Sequence, residues 1–358
     1  MKKSIRFASW LAAAAMALNL TACQSAPASS QQADAMNSTQ QPLRIVTTIF
    51  PEYDWVRNIL GDKADEVELT LLMKDGVDLH SFQPTAADMM TIANADLLIH
   101  VGGISDEWVQ DALENQGNPN RQVLALTQVL GDAVKNEEVV EGMEEHDHDH
   151  HHEEEAHAHE EEAHAHEEEH GHEEEHHEHE ELDEHVWLSL KNAQVLCQAI
   201  TDALCQLDSE NAAQYQANAA AYTEKLQALD GEYAQMVSTA QRGTLLFADR
   251  FPFRYLVDDY GLNYYAAFVG CSAETEASFA TVAFLAEKTD ELNLGTVLTI
   301  DNAQHKIADT VIASTKSQNQ QILSMNSMQA VTSQQMDEGA SYLGIMEQNL
   351  EVLRQALN

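Results

Sequence analysis

Positive charge is what this sequence lacks most. Its 358 residues include 18 Lys and Arg against 60 Asp and Glu, a formal charge of −42. Of the acids, 24 fall between Lys135 and Lys191, where no base occurs, yet the remaining 36 still outnumber the 18 bases. A surface this acidic offers no face for a phosphate backbone, which argues against nucleic acid as a partner and favours cations. Cysteine is scarce as well, at four residues. If Cys23 is modified, Cys197, Cys205 and Cys271 are an odd number, and the first two fall on one helical stretch with ~12 Å of rise between them, too far for a bridge. That argues against a disulfide framework and for buried free thiols. Long apolar runs are missing too. The stretch from Phe7 to Leu20 falls short of the ~20 residues that span a bilayer.

That stretch follows Lys2, Lys3 and Arg6, the pattern of an export signal, and closes with Leu20-Thr21-Ala22-Cys23, which resembles a bacterial lipobox. Residues 1–22 are therefore expected to be a signal peptide. Residues 23–42 would be a polar tether, lipidated at Cys23, that holds an exported protein on the outer face of the bacterial cytoplasmic membrane.

What the chain has in excess is histidine, concentrated in one place. Fourteen of 18 lie in a Glu-rich run: His146, His148, His150, His151, His152, His157, His159, His164, His166, His170, His172, His176, His177 and His179. The unit EEEAHAH occurs there twice in succession. With almost no apolar surface to bury, residues 137–184 cannot offset the entropy of ordering, so a disordered loop is expected. Imidazoles among carboxylates suit a transition metal, zinc first, held loosely and at many points. A plain solvating linker is the alternative, but histidine adds little charge at neutral pH.

Around this loop, apolar strand-like runs alternate with helical patterns. Leu43–Phe50, Val67–Met73 and Asp96–Gly103 read as strands, separated by helices from Pro51 to Gly61 and from Pro84 to Ala95. The pattern returns in strands at Thr244–Asp249, Tyr264–Gly270, Thr296–Asp301 and Gln321–Met325, with helices between and after them. Between the halves, Tyr215, Ala219, Tyr222, Leu226, Leu229, Tyr233 and Met236 form one helical face, with Asp208 as a candidate N-cap. The expected fold class is α/β: two lobes, each with a small, mostly parallel sheet flanked by helices, joined by a long rigid helix, with a ligand cleft between them. The expected lobes are residues 43–136 and 243–358, with 185–242 as the helical middle.

Four histidines lie outside the run. His80 sits in MKDGVDLHSFQPTAADM, leaving the carboxyl end of a strand, where open α/β sheets place ligands. His185 sits in LDEHVWLSLKNA, where the run re-enters folded structure. His100 reads as a satisfied strand residue, and His305 as a helix-end residue or a ligand. No HExxH falls on a stretch that reads as a helix, as a zinc hydrolase would need, since the HEEEH at His172–His176 lies in a segment not expected to be helical and has no core beside it.

LHSFQPTAADMMTIANADLLIHVGG resembles the PHSYEPTPSD segment, and the ADL strand after it, of the zinc and manganese substrate-binding lipoproteins of ABC importers. EHVWLSLKNA is similar to that family's PHVWLSPKNA, and YLGIMEQNLEVLRQAL to its C-terminal helix. An acidic histidine-rich loop before the second motif marks the zinc branch. The resemblance covers Leu43 to Asn358. It implies a binding protein, not an enzyme, that captures Zn2+, or Mn2+, and delivers it as a monomer to an ABC permease and its ATPase. A metal-storage or adhesin-type surface lipoprotein is the alternative. His80 and His185 match two family ligands. The third family histidine, in segments such as FHDAFGYFAKRYGL, corresponds to Arg250 in DRFPFRYLVDDYGL, and Arg cannot ligate a cation. The late carboxylate corresponds loosely to Asn326. Further donors are therefore expected from Asp249, Glu274, Glu276, Asp301, His305, water or the histidine-rich run, or Arg250 pairs with one of those carboxylates and braces the cleft.

Overall fold

The computed structural model describes residues 42–114, 117–144, 182–272, 276–301 and 304–358. The expected signal peptide, residues 23–41 of the expected tether with Cys23, Glu274 and the fourteen histidines from His146 to His179 lie outside them. Among the described residues no helix is long and apolar enough to cross a membrane.

The first lobe is built on β1 (Arg44–Thr47), α1 (Phe50–Leu60), β2 (Glu68–Leu71), α2 (Ala86–Asn94), β3 (Leu97–His100), α3 (Trp108–Glu114), β4 (Gln122–Ala125) and α4 (Leu126–Leu130). Its strands are all parallel in the order β2-β1-β3-β4. β4 is absent from the sequence reading. At four residues and half-exposed on the sheet edge, it carries too little apolar periodicity to stand out. The middle consists of α5 (Leu190–Leu207) and α6 (Ala212–Thr239), which pack along each other. The second lobe follows as β5 (Thr244–Phe251), α7 (Arg254–Tyr260), β6 (Asn263–Val269), α8 (Phe279–Glu291), β7 (Thr296–Ile300), α9 (Lys306–Ser314), β8 (Gln321–Met325), α10 (Ser333–Asp337) and α11 (Tyr342–Ala356). Its four strands are again parallel, in the order β6-β5-β7-β8.

Helix α6 ties the lobes together. The seven residues read from the sequence as its apolar face are all buried. Its first half meets α1, where Asn218 donates to the carbonyl of Ile59 at 2.9 Å and Tyr222 donates to Asp54 at 3.4 Å. A side chain at Gly61 would collide with the Asn218 amide. Its second half meets the other lobe, where the Tyr233 hydroxyl donates to the carbonyl of Met346 at 2.7 Å and Asp230 accepts from Tyr260 at 2.9 Å. One apolar core, with Trp55, Trp187 and Tyr342 at its centre, runs continuously through both lobes. Asp208 does not cap α6. It ends α5, and its carboxylate accepts from the Asn211 side chain at 2.7 Å and the Tyr215 hydroxyl at 2.6 Å, so it pins the turn between two helices.

The start of α1 holds an ionisable group far from water. Glu52 is fully buried, and one carboxylate oxygen accepts from the backbone of Thr48 at 2.8 Å and of Ile49 at 3.3 Å and from the Thr48 hydroxyl at 3.2 Å. Burial, and then the charge of Asp106, push its pKa up from 4.5 to about 8, against those hydrogen bonds. A carboxyl raised in the folded state contributes stability that is complete below its ordinary pKa and lost as pH rises through the folded value. Melting temperature in the parent should therefore fall relative to Glu52→Gln between pH 5 and 8. Parallel melting curves across that range would refute the assignment.

Candidate metal centre

The polar residues of interest gather where strands of both sheets end. After β2 the chain makes a short helical turn, Leu79–Ser81, capped by Asp78, whose carboxylate accepts from the backbone of His80 at 3.0 Å. His185 caps a second such turn, Val186–Leu188, and its own backbone donates to Asp183 at 2.9 Å. These turns bring two imidazoles together, inclined at 60° to each other. Nε2 of His80 lies 3.3 Å from Nε2 of His185, with ring centroids 5.3 Å apart.

Each ring is fixed through its other nitrogen. Nδ1 of His185 lies 2.9 Å from Asp183, and Nδ1 of His80 lies 2.8 Å from the Ser105 hydroxyl. This is the outer-shell pattern that sets the tautomer and orientation of a metal-binding histidine, presenting Nε2 as a lone-pair donor. Ser105 is in turn held by Glu184, which accepts from its backbone at 2.8 Å. His185 is completely buried, and Gly270 packs against its ring so closely that a Cβ there would stand 2.9 Å from Cε1. Burial first, then His185 and Arg250, hold His80 down to about pKa 3, against the pull of Asp78. The ring therefore stays neutral, the form that binds metal. Burial likewise raises the Glu184 carboxyl.

Two further donors meet this pair. The Gln329 side-chain amide inserts between the rings, with Nε2 placed 2.9 Å from His80 Nε2 and 3.0 Å from His185 Nε2. Gln329 is 3% exposed, and its Oε1 has no partner among the described residues. The Cys271 sulfur groups with one ring nitrogen of each histidine, the three atoms all within 4.8 Å of one another. Its backbone donates to Glu137 at 3.0 Å. Burial, then the charges of Glu137, Glu184 and Asp183, push the thiol pKa far up.

The other residues singled out in the sequence are placed nearby but differently. Asp249, Arg250, Glu276, Asp301 and His305 line a cavity of about 610 Å³ that also opens onto His80 and Gln329. Asp249 accepts from the backbone of Arg250 at 2.9 Å and of Ile300 at 3.2 Å, Asp301 accepts from the backbone of Ser327 at 2.8 Å, and His305 lies 3.2 Å from the Thr299 hydroxyl. Arg250 pairs with Asp78, an ion pair between the lobes immediately beside His80. Asn326 is occupied in a turn, accepting from the backbone of Met328 at 2.8 Å, and Gln329 three residues on faces the histidines. His100 ends β3 and pairs with buried Asp106 at 3.2 Å. The sequence reading took Cys271 for an inert thiol and passed over Gln329. A signal existed in both cases, since FVGC and SMNSMQ each leave the carboxyl end of a strand, as the His80 loop does.

A family model described as ZnuA, zinc-uptake complex component A, periplasmic, matches residues 45–356. The chain is 30% identical over 347 residues to the zinc-binding lipoprotein AdcA of Streptococcus pneumoniae, covering 97% of this chain and 60% of AdcA. It is 31% identical over 321 residues to the high-affinity zinc uptake system protein ZnuA of Bacillus subtilis, covering 90% of this chain and 89% of that one. The solved Zn(II)-bound ZnuA-like domain of S. pneumoniae AdcA matches with a TM-score of 0.65 at 26% identity, over 88% of this chain and 99% of that domain.

Because Asp183 holds the His185 ring, Asp183→Asn should weaken zinc binding by the ~10–100-fold typical of losing an outer-shell partner. Competition against a chromophoric chelator measures it, and an unchanged affinity would show that the ring is positioned by packing alone.

Proposed function

Since this chain belongs to the family of periplasmic zinc-uptake component A proteins, we propose that it captures a zinc ion between His80 and His185 and hands it to an ABC permease for import. The observation that carries the reading is the spacing of the two ring nitrogens. On a tetrahedral zinc ion with Zn–N bonds of ~2.0–2.1 Å, two nitrogens stand ~3.3–3.4 Å apart. The Nε2 pair stands 3.3 Å apart. Capture then requires little rearrangement of the donors.

The surroundings support the same reading. The acidic surface raises the local concentration of cations, and Asp183, Glu184 and Glu137 gather negative charge around the site. The cavity lined by Asp249 and Asp301 gives a polar approach to His80. Nitrogen donors suit zinc better than manganese, which prefers oxygen. Lipidation at Cys23 would keep the protein beside its permease, and the histidine-rich run would serve as a reservoir, raising the effective zinc concentration at the cleft. Release requires the permease to separate the imidazoles, and the Arg250–Asp78 pair beside them is the contact that must break as the lobes part.

Calorimetric zinc titration of protein lacking residues 145–181, a deletion that leaves intact the Asn136–Leu182 bridge at the base of the loop, tests this proposal. One tight site should remain, and His80→Ala and His185→Ala should each abolish it. Loss of tight binding on deletion alone would move the function into the histidine-rich run.

A further inference from the structure

We propose that Cys271 supplies the third ligand to the captured ion and Gln329 the fourth, so that two imidazoles, a thiolate and an amide make up the cargo site. The inference rests on the two-histidine reading above and adds to it the donors that determine which metals are retained.

The geometry has three parts. The Cys271 sulfur, one ring nitrogen of His80 and one of His185 fall within 4.8 Å of one another, close enough for a single ion to gather them with a small closing movement. The Gln329 amide is nine-tenths buried and more, aimed between the same two nitrogens, with its oxygen unpartnered among the described residues. Rotating the amide about its terminal bond exchanges its two heavy atoms, which puts Oε1 about 3 Å from each ring nitrogen, the distance expected of a fourth donor on a tetrahedral ion. Gly270 permits both approaches, because a Cβ there would press on the His185 ring. The position at which the resemblance leads one to expect a third histidine carries Arg250, and its guanidinium is committed to Asp78. Cys271 fills that gap from the neighbouring strand end.

As the sulfur donates its lone pair to the metal, the thiol proton leaves to solvent, and the thiolate charge partly neutralises the ion. Gln329 in place of a carboxylate leaves the centre with one negative donor. A thiolate with two imidazoles favours zinc, cobalt and cadmium and disfavours manganese and magnesium, which take oxygen ligands. The chain is thereby specialised for thiophilic ions more narrowly than a histidine–carboxylate site would be.

The test is cobalt(II) binding to residues 24–358, which retain the histidine-rich run but exclude Cys23. Thiolate-to-cobalt charge transfer absorbs strongly in the near ultraviolet, whereas imidazole and carboxylate complexes do not. Cobalt should bring up this band and zinc should bleach it. Cys271→Ser should remove it, and Cys197→Ser and Cys205→Ser should retain it. Zinc affinity of Cys271→Ser should fall by at least the ~10–100-fold that loss of an outer-shell partner costs, and its preference for zinc over manganese should narrow. No band in the parent protein overturns the thiolate ligand even if the variant fails to fold, and so does a band that survives Cys271→Ser. If His80→Ala and His185→Ala nonetheless abolish tight zinc binding, only the third ligand is wrong. If they do not, the two-histidine reading falls with it.

Discussion

Two imidazole nitrogens held 3.3 Å apart, one ring fully buried and the other largely so, are the constraint around which this protein is organised. Lone pairs facing each other in a low-dielectric space repel and lose hydration, so such an arrangement persists only where the surroundings over-determine it. Here each ring is tied through Nδ1, one to Asp183 and one to Ser105, and Ser105 is itself tied to Glu184. The Gln329 amide offers both nitrogens a shared partner, and Gly270 closes over His185. On the proposed function a divalent cation would sit between the two nitrogens, and the Gln329 amide would turn its oxygen to the ion instead of its nitrogen to the rings.

Holding the pair in place is the task of the two lobes. His80 belongs to the loop after β2 in the first, and Cys271 and Gln329 to loops after β6 and β8 in the second, so the centre exists only when the lobes are in register. Helix α6 fixes that register by hydrogen-bonding α1 through Asn218 and Tyr222 and α11 through Tyr233. Tyr342, whose hydroxyl donates to the carbonyl of Trp187 at 2.7 Å, connects α11 to the turn that carries His185. The junction is thus a continuous apolar core, and the charged contact between lobes beside the metal centre is Arg250 with Asp78.

Much of this was legible in the chain. The alternation of apolar strands with helices, and the seven-residue apolar face of α6, follow from periodicity, which is local information. His80 and His185 stood out because histidine is rare outside the run and each lies in a recognisable motif. Cys271 and Gln329 did not, because what sets them apart is their nearness to the two histidines, for Gln329 across 249 and 144 residues, which no local pattern encodes. Arg250 does pair with a carboxylate, but with Asp78, which is not among those expected, since the pair crosses between lobes and no local pattern points to it. β4 escaped notice because a four-residue edge strand carries almost no periodic signal.

Where the first zinc ion goes decides between these possibilities. Crystals of the mature protein, histidine-rich run included, grown with one equivalent of zinc and measured on both sides of the zinc absorption edge, would locate it by anomalous difference density. One strong peak is expected between Nε2 of His80 and Nε2 of His185, within bonding distance of both. A peak at the cavity wall formed by Asp249, Asp301 and His305, or density only at the histidine-rich run, would contradict a centre built on the two imidazoles.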